Sequence, residues 1–84
     1  TMSPKFKEQN GFVFKIFSNE EARIHIHIIK AEKEAKYWLE PDMELAENHG
    51  FNNKELSFIE KILTEYGDYF KVKFTRHVGK RLDD

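Results

Sequence analysis

The sequence predicts an α+β fold: a three- to four-stranded, mainly antiparallel sheet with one or two C-terminal helices packed on one face. Three observations carry this. The stretch Arg23-Ile24-His25-Ile26-His27-Ile28-Ile29 alternates polar and apolar residues, the mark of a half-buried strand. The strand-forming runs all lie before residue 46, and the helical pattern follows them. Asn52 and Glu55 have capping-box spacing and open an apolar stripe at helical period. At 84 residues the chain is sized for a single domain with a small, two-layer core. Residues 1–10 are expected to be flexible, 12–46 to form the sheet and 52–80 to be helical.

In chain order, Thr1 to Gln9 is polar apart from Phe6, which predicts poor order. Asn10-Gly11 is a turn signal. Phe12-Val13-Phe14-Lys15-Ile16-Phe17 is rich in strand formers on both faces, which suits a central strand. Ser18-Asn19-Glu20-Glu21 has loop composition. The histidine strand then runs from about Arg23 to Lys30, and Ala31-Glu32-Lys33 turns the chain. Glu34 to Glu40 forms a third strand, with Ala35, Tyr37 and Leu39 on one face and Lys36 and Trp38 on the other. Pro41-Asp42 ends it. Met43-Glu44-Leu45 is a candidate short fourth strand, and Glu47-Asn48-His49-Gly50 reads as a loop.

Phe51 and Leu56 occupy the two positions of a hydrophobic staple around the Asn52 cap. Leu56, Ile59, Ile62, Leu63 and Tyr66 form the apolar stripe, directed at the Ile24/Ile26/Ile28 side of the sheet. Gly67 interrupts it. Beyond, Phe70, Phe74 and Val78 are four apart, yet Phe70 to Phe74 also alternates like a strand; the helical reading is preferred.

Composition narrows the function. The formal net charge is -1, so no general attraction to nucleic acid is implied. Charged residues at 35% give a well-solvated surface. There is no cysteine, which rules out disulfide and thiolate chemistry and fits the cytoplasm. No apolar run approaches the roughly 20 residues of a membrane span. No Gly-rich phosphate loop, nucleophile elbow or zinc-finger spacing occurs, and the reading includes no cofactor. Oligomerisation would help a core of this size.

Arg23, His25 and His27 are the candidate catalytic residues. Residues two apart on a strand share a face, with Cα atoms roughly 6.6 Å apart. Imidazoles titrate near neutrality and a guanidinium grips phosphate, so the row suits binding or cleaving a phosphodiester such as RNA. The plainer reading is a polar sheet face that meets water or a partner protein. A metal shared by the two histidines is a rival reading, with His49, His77, Glu40 or Asp42 as further ligands, but no spacing specifies a third one. Lys36 and Trp38 are candidate binding residues, on the same face if the two strands pair as a hairpin. The basic run Lys71, Lys73, Arg76, Lys80 and Arg81 suits either phosphate contact or a solvated helix face near a C-terminus. The three site residues are expected to face solvent, so replacing them together with Ala should leave folding intact.

The order of these pieces resembles the small prokaryotic domain-of-unknown-function family 4160. Phe14 to Glu20, Arg23 to Ile28, Ala35-Lys36-Tyr37-Trp38-Leu39 and Leu45 to Phe51 carry the likeness, which extends from about Phe12 to Val78. Ile24 stands where the family usually has Pro, and Phe74 where it often has Trp. The resemblance implies a compact α+β domain in a bacterial cytoplasm. It also implies a small protein partner encoded by a neighbouring gene, in a two-gene module of toxin–antitoxin type. It carries no established activity. The leading expectation is therefore one component of such a module, using its Arg/His face to bind RNA, a nucleotide or the partner. A metal-dependent enzyme at the His pair and a non-catalytic interaction module are the alternatives.

Overall fold

The computed structural model describes residues 4–17 and 22–83. Five strands precede one helix: β1 (Lys5–Gln9), β2 (Phe12–Lys15), β3 (His25–Lys30), β4 (Lys33–Trp38), β5 (Glu44–His49) and α1 (Asn53–Asp83). The strands lie side by side in chain order and every neighbouring pair is antiparallel. The α+β class stands, with five strands rather than three or four and one helix rather than two. The expected loop at 18–21 and the first three residues lie outside the described residues.

The added strand β1 and the greater length of β5, whose start matches the candidate fourth strand at 43–45, each have a physical reason. β1 falls in the stretch expected to be poorly ordered. It is anchored by Phe6, whose ring stacks on Phe70 of α1 at 6.5 Å, and by the Tyr69 hydroxyl, which donates to the Phe6 carbonyl at 3.2 Å. One buried aromatic and a ladder to β2 hold a segment that its polarity alone would leave free. β5 runs through the expected loop as far as His49. It is exposed on both faces, so it has no alternating pattern for the sequence to display.

The turns follow their residues. Asn10 and Gly11 both have positive φ (51° and 81°), the requirement of a two-residue hairpin turn twisting with its strands. Gly50 has φ 105°, and a Cβ there would lie 3.2 Å from Cγ of Lys33, so geometry and space both call for glycine. Beside it, the Asn48 side chain holds Phe51 by two bonds: Oδ1 accepts from the Phe51 N–H at 3.1 Å and Nδ2 donates to its carbonyl at 3.0 Å.

The capping box forms as expected. Asn52 Oδ1 accepts from the Glu55 N–H at 2.8 Å, and Glu55 Oε1 accepts from the Asn52 N–H at 3.0 Å. The other Glu55 oxygen takes Lys33 Nζ at 2.7 Å. That ammonium, with the Asn52 N–H, holds the Glu55 carboxyl below the usual carboxylate range.

α1 covers the inner face of the sheet. Phe12, Phe14 and Ile16, Ile26 and Ile28, and Ala35, Tyr37 and Leu39 supply that face, and Ile59, Ile62, Leu63, Phe70 and Phe74 meet it from the helix. Ile26 and Ile28 are fully buried there, as the alternation predicts. Tyr37 donates its hydroxyl to Glu60 Oε2 at 2.8 Å. Burial first, and then the Glu60 carboxylate, push its phenol above the ordinary tyrosine range.

The helix runs unbroken through Gly67 for 31 residues. Leu63, Phe70 and Phe74 stay in phase across the glycine, and their burial outweighs its weak helix propensity of about 1 kcal/mol relative to Ala. A Cβ at Gly67 would meet nothing within 4 Å. Gly67→Ala should therefore raise stability by about 0.5–1 kcal/mol in urea unfolding. A lower midpoint would mean that the helix is kinked at this position in solution.

Candidate functional site

The outer face of the sheet carries the candidate site. The register places His25 opposite Trp38, and His27 opposite both Lys36 on β4 and Lys15 on β2. Lys36 in turn lies opposite Glu47 of β5. The histidines thus share a face with Lys36 and Trp38, as the hairpin reading predicts, and Arg23 joins them from just before β3.

The solvent-facing expectation for the histidines is overturned. His25 is 0% exposed and His27 is 6% exposed. Rings cover them. Phe17 meets His27 edge-on at 4.5 Å, His27 meets His25 at 5.3 Å, and His25 meets Trp38 at 5.8 Å. The four rings form a herringbone across β3, β4 and the segment just after β2, and a fifth ring, Phe74 of α1, meets His25 at 5.1 Å. A period-two reading of Phe12 to Phe17 would have placed Lys15 and Phe17 on this face, but their neighbours Phe14 and Ile16 draw attention to the other one.

A hydrogen bond orients His25: its Nδ1 lies 2.7 Å from the Arg23 carbonyl, which can only accept, so Nδ1 carries the proton. His27 Nδ1 lies 3.3 Å from Glu34 Oε2 without hydrogen-bond alignment between the two; Glu34 was not singled out from the sequence.

Cations lie over both ends of the ring row. Lys15 Nζ is 4.9 Å from the Phe17 ring centre. At the other end the Arg23 guanidinium is 4.1 Å and Lys36 Nζ 4.3 Å from the Trp38 ring. Such contacts contribute about 0.5–2 kcal/mol each, more where water is displaced. Lys36 is only 9% exposed, its stem laid along the sheet. Arg23 is exposed and is tied down by its Nε, which donates to the Glu40 carbonyl at 3.1 Å. The Glu40 carboxylate takes Lys71 at 2.8 Å and holds that ammonium above its ordinary range.

His25 is fully enclosed, while general acid–base work needs hydrogen-bond reach to a substrate. Among the described residues no three His, Asp or Glu side chains come together in a way that could hold a metal. His49 sits beside Glu47 on β5, 3.3 Å away, and His77 lies on α1. What the face does present is a rigid, cation-topped aromatic row.

A five-stranded meander with one helix across its inner face and this row across its outer face defines a small α+β protein. No helix among the described residues is long and apolar enough to cross a membrane. The chain belongs to the family described as domain of unknown function DUF4160, whose model matches residues 11–75. No curated protein and no solved structure matches it significantly.

Proposed function

We propose that the chain is a non-catalytic interaction module whose outer sheet face, centred on Trp38 and Arg23, binds a small protein partner. The observation behind this is the way the face is filled. Trp38, Arg23 and Lys36 form one preorganised cluster, and the histidines beneath it are enclosed by rings. Trp and Arg on a rigid support are the residue types that dominate protein–protein binding energy. Cations already over the Trp38 ring leave it poorly placed to stack a nucleobase. The surrounding Lys15, Arg23 and Lys36 favour an acidic surface on the partner. The family setting favours a bacterial cytoplasmic partner from a neighbouring gene, in a pair of toxin–antitoxin type. RNA on the same face is the competing reading, supported only by the mixture of cations and rings.

The test is co-purification of the tagged chain with the neighbouring gene product, followed by titration of the two purified proteins. A stoichiometric complex free of RNA is expected, and Arg23→Glu should weaken it at least tenfold. Because Arg23 is exposed, the variant should stay within about 1 kcal/mol of the parent in stability. A complex indifferent to Arg23→Glu would remove this face from the interface. RNA alone in the eluate would hand the site to the competing reading.

A further inference from the structure

We infer that the end of the molecule where β1 meets the C-terminal half of α1 is a phosphate-binding site, distinct from the Trp38/Arg23 cluster and independent of its function. An open cavity of about 240 Å³ lies there, lined by Pro4, Lys5, Phe6, Lys73, Arg76 and His77. Four of those six residues are basic and none is acidic. The concentration is local, because the whole chain carries a formal net charge of -1. From Lys71 to Leu82 the helix sequence contains no Asp or Glu.

The cations are available. Among the described residues, Arg76 has no carboxylate partner. Among the described residues, Lys73 Nζ makes only a distant approach to the Tyr69 ring, at 5.9 Å. Lys5 meets Glu8 at 3.1 Å in a pair exposed on both sides, which is weak and exchangeable. The charged side chains of the lining are therefore all cationic, set beside the apolar Pro4 and Phe6. His77 Nε2 is buried, with no hydrogen-bond partner among the described residues. Phe6 is fixed from behind by Phe70 and by the Tyr69 hydroxyl, so the start of β1, where Lys5 lines the cavity, is anchored to the helix. Arg76 and His77 are adjacent on α1, and Lys73 lies one turn earlier on the same side as both.

The chemistry points to a tetrahedral oxyanion. A carboxylate is satisfied by a single bidentate arginine. Three permanent cations and an imidazole approaching from two elements match the charge and the several oxygens of a phosphate group. The phosphate of a small phosphorylated molecule and the backbone of a nucleic acid share that chemistry.

The experiment is a titration of the full chain followed by amide chemical shifts in two-dimensional NMR. The probes are inorganic phosphate and, in a second arm, a short single-stranded RNA, both at constant ionic strength. Saturable shifts at Phe6, Lys73 and His77 are expected with phosphate, and at least a tenfold weaker response in Lys73→Gln/Arg76→Gln. Both side chains are at the surface, so the variant should keep the parent's dispersion; if it does not, Arg76→Gln alone replaces it. Saturation by phosphate assigns the site to phosphorylated small molecules. Saturation by RNA alone, at the same residues and lost in the variant, assigns it to a phosphodiester backbone. No saturable shift with either probe, or equal shifts in parent and variant, overturns the site.

Discussion

Phe70→Ala should lower the stability of this protein by about 3–5 kcal/mol, a large part of the 5–15 kcal/mol typical of a small protein. Phe70 is fully buried and its ring is surrounded by others: Phe14 at 5.5 Å, Tyr69 at 5.7 Å, Tyr66 at 6.4 Å and Phe6 at 6.5 Å. Truncation removes the transfer energy of the ring and leaves a cavity that four aromatic neighbours cannot collapse to fill. The melting temperature should fall by roughly 12 °C or more for a chain of this length. Loss of less than 1 kcal/mol in urea unfolding would mean that α1 does not close the β1–β2 end of the sheet in solution.

His25→Ala should cost about 2–4 kcal/mol, although the residue lies on the face opposite the isoleucine core. Its ring fills the space between Trp38, His27 and Phe74, and its Nδ1–H bonds to the Arg23 carbonyl. Removing it opens a void under Trp38 and orphans that carbonyl. His25→Phe separates the two effects: ring contacts are kept while the Nδ1–H bond to the Arg23 carbonyl is lost, at about 1 kcal/mol. Thermal unfolding of both variants is the measurement. A His25→Ala variant as stable as the parent would restore the solvent-facing arrangement expected from alternation, and with it an accessible imidazole. The same reasoning reverses the expectation for the combined Arg23, His25 and His27 change, which should lose stability.

Strand alternation correctly put Ile26 and Ile28 against the helix and His25, His27, Lys36 and Trp38 on one other face, because side-chain direction depends only on local backbone period. The Asn52–Glu55 cap was equally legible, since it too is local. Exposure was not. Polar residues on an outer face read as solvated, yet Phe17, just after β2, and Phe74 from α1 cover the histidines. β1 escaped notice because one phenylalanine in nine mostly polar residues gives no period, and its order comes from rings on α1. β5 was foreseen only at its start, Glu44-Leu45, because an edge strand exposed on both sides carries no apolar face to mark its full length. At Gly67 the weak local preference for a break lost to the continuous stripe on either side.

The order of the strands in space is their order in the chain, and this has a consequence for how the molecule assembles. Each ladder closes only a short loop, so the meander can form pair by pair, hairpin after hairpin, with little entropy lost at each step. Until α1 is complete, however, the row of Phe14, Ile26, Ile28 and Tyr37 has nothing over it. The contact that seals it at the β1 end joins residues 63 apart, Phe6 and Tyr69. On a ribosome the sheet would therefore emerge first and remain uncovered on its oily side until the last third of the chain had been made. The interval between those two events is when this protein is most exposed to aggregation.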